Sequence, residues 1–554
     1  MSDSLASTLE PRRASVGPAE PQPGFLGLYD GFERAAAEGP DRPALVVGDE
    51  TLTYAQLSLR ARRLGALIHS LEAEQHSELV AFLATRSVHA YAAVLGILAA
   101  GRGYVPLHPD FPNERTARML NLSGVGIVVV GREGLDRLAD VLPQVERELT
   151  LVVPADAVDG LAARFARHRF VSEDEDVRPL DAGPSVTRDS TAYLLFTSGS
   201  TGLPKGVPIS HGNVTSYVDY VRTLYEIEPT DRLSQMFDLT FDLSVHDMFV
   251  CWTAGACLFS VPAASLMAPA GFIRKNDLTV WFSVPSVIGF MQRFRMLKPG
   301  SLPSLRLSLF CGEPLLANMA DAWLEAAPDS RLENLYGPTE ATIAISRFPW
   351  TGSHGGPESL HGVVSIGRVF EGQAACIVDE RGAEVPAGET GELCLSGSQV
   401  TTGYFNDPKK TRERFVELPG RPGQVWYRTG DLARRTDDGV MQYVGRLDQQ
   451  VQVLGHRVEL AEVGQAVREG SGSDSAIALA WPHGEPQVEA IYGVVATSNG
   501  IETRSILEHC KRCLPDYAVP RDIVGVEELP LNANGKVDRN AVARMVKEVL
   551  NAGH

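Results

Sequence analysis

The chain has 554 residues, 44% apolar and 22% charged, with 51 Lys and Arg against 69 Asp and Glu for a formal net charge of −18. That length exceeds one compact core, and the composition is that of a globular protein rather than a fibrous or disordered one. The acidic field repels phosphate backbones and anionic lipid, so nucleic acid and membrane partners are not expected, while a local nucleotide pocket stays open.

Residues 1–24, rich in Pro, Ser, Ala and charge without apolar periodicity, read as a flexible arm with no signal pattern. From there short apolar runs at 45–47, 79–83, 127–130, 151–153 and 193–196 alternate with amphipathic stretches. Such alternation predicts α/β architecture, with doubly wound sheets covered by helices on both faces. The most apolar stretch, 91–101, falls short of the roughly 20 residues that cross a bilayer, so a cytoplasmic protein is expected. Between 363 and 445 the runs at 374–378, 391–395 and 440–444 are closely spaced and divided by Gly turns, which predicts a small, mostly β unit. The division expected is a large lobe over 25–447 and a small α+β lobe over 448–554.

Seven cysteines, irregularly spaced, make no disulfide framework. Cys510 and Cys513 form a C-x-x-C, but with no second pair or accompanying His cluster it is not expected to bind zinc. The segment Gly470-Ser-Gly-Ser-Asp-Ser475 reads as a polar loop.

The richest segment is Tyr193-Leu-Leu-Phe-Thr-Ser-Gly-Ser-Thr-Gly-Leu-Pro-Lys-Gly206. An apolar strand runs into a loop where Gly199, Gly202 and Gly206 let backbone N–H groups approach an anion. Thr197, Ser198, Ser200 and Thr201 add hydroxyls and Lys205 a charge, which makes a phosphate cradle. It is not a Walker A loop, because Pro204 and Gly206 flank Lys205 where G-K-[ST] is required.

This loop resembles the signature of the adenylate-forming superfamily, which contains acyl-CoA synthetases, luciferases and the adenylation domains of nonribosomal peptide synthesis. The resemblance covers about residues 25 to 545, with Phe241-Asp-Leu-Ser244, Asn334-Leu-Tyr-Gly-Pro-Thr-Glu340, Gly391-Glu-Leu-Cys-Leu-Ser-Gly397, Tyr427-Arg-Thr-Gly-Asp431, Gly445-Arg-Leu-Asp448 and Asn534-Gly-Lys536 in the family's order. It implies ATP and Mg²⁺ as cofactors and a mobile small lobe. By resemblance, Asn334-Leu335-Tyr336-Gly337-Pro338 holds adenine, with Tyr336 stacking and Asn334 bonding the exocyclic amine, and Gly312-Glu313-Pro314 lines the other face. Thr339 meets the α-phosphate, Glu340 holds Mg²⁺, Asp431 takes both ribose hydroxyls, and Tyr443 and Arg446 complete the nucleotide site. Asp448 is the hinge, and Lys536 the mobile catalytic lysine bridging the substrate carboxylate and the α-phosphate. From the residues alone, Asp431 reads equally as a helix N-cap after a tight turn, and Asp448 and Lys536 as solvated turn residues.

The substrate expectation rests on Asp242. A carboxylate in an apolar helix start is costly to bury unpaired, and in the amino-acid adenylation family it receives the α-ammonium. Asp238 and Asp247 are of the same type but lack the following x-Ser. Carried over one by one, the pocket positions are Asp242, Leu243, His246, Phe282, Leu309, Cys311, Leu335, Ile343 and Ala344, with Gly337 beside them. Large apolar walls leave a small cavity, so alanine is expected, with glycine, serine and 2-aminobutyrate as neighbours. His246 reads as packed, with a hydrogen bond to a serine substrate's hydroxyl as the alternative. Leu309-Phe-Cys-Gly-Glu-Pro314 with Asp242-Leu-Ser-Val-His-Asp247 is similar to D-alanine:carrier-protein ligases, which brings D-alanine in beside L-alanine.

Only 18 residues follow Lys536, and a free-standing enzyme that loads the phosphopantetheine thiol of a separate carrier protein is expected. Gln452 and Leu454 stand where Lys and Arg are more usual after the hinge. The alternatives are an acid:CoA ligase, discriminated by the acceptor thiol, and a non-catalytic adenylate-binding protein, which intact Lys205, Glu340, Asp431 and Lys536 argue against.

Overall fold

The computed structural model describes residues 27–71, 77–198, 204–266, 269–352, 359–448, 450–484, 488–497, 501–530 and 537–552. The expected 1–24 arm lies outside them.

Two sheets build the large lobe. One has nine strands, in the order Arg368–Val369, Ser346–Trp350, Arg331–Tyr336, Leu307–Phe310, Val280–Ser283, Arg232–Gln235, Cys257–Ser260, Pro43–Val47 and Glu50–Thr53. The other has seven, in the order Arg169–Ser172, Thr150–Val153, Ile127–Val130, Leu79–Leu83, Gly103–Leu107, Thr191–Thr197 and Lys205–Ser210. Strands are parallel through the middle of each sheet, while Glu50–Thr53, Ser346–Trp350 and Lys205–Ser210 join antiparallel. The central strands are fully buried, which accounts for their unbroken apolar runs.

Two helices are buried nearly all round, because each is covered on every side. Val88–Ala99, which carries the most apolar stretch of the sequence, is buried at every residue but His89, and Asp242–Thr253 at every residue but Thr253. They meet through Tyr91 and Trp252, whose rings lie edge to face at 6.2 Å, and the Tyr91 hydroxyl crosses to Gln235 Oε1 at 2.7 Å in the nine-stranded sheet. No helix among the described residues is long and apolar enough to cross a membrane.

Downstream, Gln373–Val378, Thr390–Gly397, Val425–Arg435 and Phe415–Glu417 form an antiparallel sheet joined by Met441–Arg446. After the hairpin of Gln450–Val453 and His456–Glu459, the strands Ala476–Trp481, Ala490–Ala496 and Asp522–Val526 form a sheet packed with the helices Leu460–Ser471, Thr503–Cys513 and Arg539–Ala552. Parallel βαβ crossovers turn the carboxyl ends of the parallel strands in each sheet to one side, where open α/β sheets place their ligands. Phe282, Leu309, Tyr336 and Thr197 all stand at or beside such ends.

Candidate active site

The expected amino-acid pocket starts from the first turn of the helix Asp242–Thr253. Asp242 is 7% exposed, and its Oδ2 has no hydrogen-bond partner. Burial pushes the carboxyl up to about 7, against hydrogen bonds from the Thr339 hydroxyl and the backbone N–H groups of Ile343 and Leu243. The Ile343 N–H is aimed by a strained turn, since Thr342 and Ile343 have φ of 56° and 71°. Left-handed backbone costs a β-branched residue on the order of 1–3 kcal/mol. Gln399 holds the turn through Nε2 to the Ala344 carbonyl at 2.7 Å, and Thr342 Oγ1 donates to the Gln399 carbonyl. Gly337 is required here, because a Cβ would fall 2.5 Å from Ala344 Cα.

Leu243, Phe282, Leu309, Leu335, Ile343 and Ala344 are all buried in one apolar cluster. His246 is packed, as expected. Its Nδ1 meets the Tyr217 hydroxyl at 2.7 Å, its ring stands edge-on to Phe282 at 4.5 Å, and burial pushes it down to about 3, so it is neutral. Cys311 is buried, its thiol pushed up to about 12 by burial and then by Asp242. Asp247 is buried too, but its backbone partner is Met236, away from these residues.

On the nucleotide side, Asn334 donates from Nδ2 to the carbonyls of Ser365 at 3.0 Å and Val364 at 3.3 Å, which leaves its buried Oδ1 without a donor. The orphaned acceptor fits an exocyclic amine. Asp431 does not follow a tight turn. It lies inside the strand Val425–Arg435, next to Gly430 at φ 75°, where the ladder is irregular. Its carboxylate is occupied by the Tyr336 hydroxyl on Oδ2 and Arg446 Nη1 on Oδ1, both at 2.5 Å. Arg446 also grips Asp448 with Nε at 2.6 Å and Nη2 at 2.8 Å, so Asp448 is not the freely solvated turn residue its tetrapeptide suggests. Tyr443, beside Arg446, is half-buried against the core of the antiparallel sheet.

On the phosphate side, the expected cradle residues Gly199, Ser200, Thr201 and Gly202 and the lysine Lys536 lie outside the described residues. Thr197 ends its strand with a buried, unpartnered Oγ1. Glu340 is fully buried. Its Oε1 accepts from Lys205 Nζ at 3.2 Å and the Tyr404 hydroxyl at 2.8 Å, and its Oε2 from Arg457 Nη1 at 3.1 Å. Burial alone would raise its pKa, but Lys205 and Arg457 prevail and hold it well below the usual carboxylate range.

Arg457 comes from the small lobe, and so do other groups at the site that sequence reasoning missed. The Arg457 carbonyl accepts from Ser198 Oγ at 2.7 Å, and Gly455 N–H donates to Glu313 Oε1 at 2.6 Å. Gly455 has φ 81°, and a Cβ on it would fall 2.4 Å from Val284 Cγ1, so only glycine seats the hairpin here. Between them the His456 ring stacks on Tyr517 at 3.7 Å and meets Phe241 edge-on at 4.3 Å. A buried ion pair, Arg115 Nη1 to Glu462 Oε1 at 3.0 Å, adds a second contact between the lobes. The legible signal was Gly455-His-Arg457, a glycine and a cation in the hairpin that follows Asp448.

The model of the AMP-binding enzyme family matches residues 32–405, and that of the AMP-binding enzyme C-terminal domain matches 472–536. The chain belongs to the AMP-binding enzyme family. Membership makes it an AMP-forming ligase of the adenylate-forming superfamily, as the loop at 193–206 and the later motifs imply. Among solved structures, the Vibrio cholerae adenylation domain AlmE, in complex with glycyl-adenosine-5'-phosphate, is 33% identical with a TM-score of 0.83, covering 95% of this chain and 99% of that one. Zwittermicin A synthase ZmaJ of Bacillus cereus is 31% identical over 92% of this chain and 94% of its own length. Tyrocidine synthase 3 of Brevibacillus parabrevis is 32% identical over 93% of this chain, which spans only 8% of that protein. The family's fold accounts for the two-lobed architecture seen here.

The pocket wall can be tested directly. Phe282 is 1% exposed and touches both His246 and Phe237, the latter with ring centroids 5.0 Å apart. Phe282→Ala should open volume and shift preference in pyrophosphate exchange toward branched or aromatic amino acids. A variant that admits nothing larger removes Phe282 from the pocket.

Proposed function

We propose that this chain activates a small α-amino acid, alanine of either hand first, as the aminoacyl-AMP, and passes it to the phosphopantetheine thiol of a separate carrier protein. The observation that carries this reading is the buried Asp242 carboxyl with one oxygen unpartnered beside an otherwise apolar wall. Such a group calls for a cation, and the substrate's α-ammonium supplies one that a fatty or aryl acid lacks. The large side chains around it favour a small substrate, and the glycyl adenylate bound by AlmE is in keeping with that.

In the first half-reaction a substrate carboxylate oxygen attacks the α-phosphorus of ATP and the bond to pyrophosphate breaks. Asn334 Oδ1 would accept from the adenine amine, while Lys205 and the Thr197 hydroxyl face the phosphates. Glu340 fits a magnesium ion that takes one protein carboxylate and otherwise phosphate oxygens; Mg²⁺, when bound, would neutralise phosphate charge. Arg457 engages one of those carboxylate oxygens, so the lobe position seen here suits the second half. There the carrier's sulfur attacks the carbonyl carbon, the C–O bond to AMP breaks, and the thiol proton is lost. The ribose hydroxyls would share Asp431 with Tyr336 and Arg446, and Asp448 would serve as the hinge.

Amino-acid-dependent pyrophosphate exchange over the standard amino acids and D-alanine tests the substrate. Loading of a phosphopantetheinylated carrier against coenzyme A tests the acceptor, and acylation of coenzyme A alone would replace this reading by the acid:CoA ligase. Lys536→Ala divides the halves. It should depress adenylate formation by about 3 kcal/mol or more, the scale of one preorganised electrostatic contact, yet still load the carrier from preformed aminoacyl-AMP. Equal loss of both steps would dismiss the division of labour.

A further inference from the structure

The C-x-x-C of the sequence does not act as a pair. Cys510 is buried in the small-lobe core, while Cys513, one turn past His509 on the helix Thr503–Cys513, is only partly buried at the edge of the same core. No His cluster accompanies the cysteines, but a single histidine does: His509 directly precedes Cys510, and the i, i+4 spacing of a helix puts it beside Cys513.

His509 Nε2 stands 3.5 Å from Cys513 Sγ and 3.5 Å from Glu469 Oε2, the latter carried by the helix Leu460–Ser471. All three donor atoms lie within 4.8 Å of one another. One ring nitrogen has a single proton or a single lone pair, so it cannot bond well to a thiol and a carboxylate at once. A shared cation satisfies both. Zinc bonds of about 2.3 Å to sulfur and about 2.0–2.2 Å to nitrogen and oxygen, at the tetrahedral angle, put S···N at about 3.5 Å and N···O at about 3.4 Å. Two of the three edges already have those lengths. The approach of the two helices depends on Gly470, where a Cβ would fall 3.0 Å from His509 Cβ.

We propose that Glu469, His509 and Cys513 form a site for Zn²⁺ or a similar borderline-soft divalent cation, with water completing the shell, that ties the two helices of the small lobe together. Thiolate, neutral imidazole and carboxylate are the donor types zinc takes. Burial, then Glu114 and Glu469, push the Cys513 thiol up when no metal is present, and a bound dication would reverse that balance. Cys513 is also the one cysteine of the seven that is not buried, so its contribution can be separated from the others.

The test uses the full chain stripped with a chelator and titrated with Zn²⁺ alone against a chromophoric competitor, with Co²⁺ as a spectroscopic probe. One equivalent of zinc per chain is expected, together with a sulfur-to-cobalt charge-transfer band and a rise in thermal midpoint. Cys513→Ser should abolish the band, and Cys513→Ser, His509→Ala and Glu469→Gln should each weaken zinc at least about tenfold, while amino-acid-dependent exchange stays at the wild-type level. Glu469→Gln alters an exposed side chain and tests the site even where a helix substitution disturbs folding. Absence of stoichiometric zinc in the wild type, or unchanged affinity in Cys513→Ser and Glu469→Gln, overturns the proposal.

Discussion

Asp242→Ala should lose at least about 100-fold in amino-acid-dependent pyrophosphate exchange, the few kcal/mol that follow from removing one partner of a buried charge pair, with ATP affinity unchanged. Its stability should move the other way. The folded carboxyl titrates at about 7 against an ordinary 3.8, so the stability its protonated form contributes is complete below the unfolded pKa and is lost as pH rises from there through about 7. Removing it should leave the thermal midpoint at pH 8 at or above that of the wild type. Substrate binding carries the same signature in the wild type. The α-ammonium binds the ionised form, which makes up about one part in eleven at pH 6 and about ten in eleven at pH 8, so apparent affinity should rise about tenfold between them. Unchanged exchange in the variant, or a flat binding profile in the wild type, would remove Asp242 from the substrate site.

The second large effect belongs to Glu340. Glu340→Gln leaves Lys205 and Arg457 buried around a neutral amide, and breaking a buried ion pair from one side costs about 3–5 kcal/mol. The thermal midpoint should fall accordingly and adenylate formation should be lost. The folded carboxyl titrates far below its ordinary 4.5, so its stabilising contribution is complete above that pH and is lost on acidification. The gap between wild type and variant should therefore be widest near neutrality and close in acid. A variant as stable as the wild type at pH 7 would mean that the two cations find other partners.

The architecture was legible because its strands are buried on both faces and write themselves as apolar runs, with 79–83 and 127–130 matching their strands to the residue. The pocket positions rest on motifs alone, since Leu309, Ile343 and Ala344 are indistinguishable from core by composition and lie buried in the main apolar cluster. Asp431 was misread locally because a left-handed glycine inside a long strand looks, in sequence, like a turn. Arg457 and Gly455 were missed for a different reason. They reach the site by docking of one lobe on another, and nothing in local periodicity records a contact made across 117 residues of chain to Glu340. The Glu469, His509 and Cys513 cluster was hidden by the search for paired cysteines, which looked along the chain when the third donor comes from the neighbouring helix.

The Arg457–Glu340 bond has a thermodynamic consequence. Through it the small lobe is an intramolecular ligand of the large one, and under the proposed function it would compete for that carboxylate with a metal-bound nucleotide. Two ligands that exclude each other are negatively linked, and linkage is reciprocal. Whatever factor a nucleotide took from the docking constant of the lobe, the docked lobe would take from the affinity for nucleotide, so on the proposed function departure of pyrophosphate would itself favour the seated position.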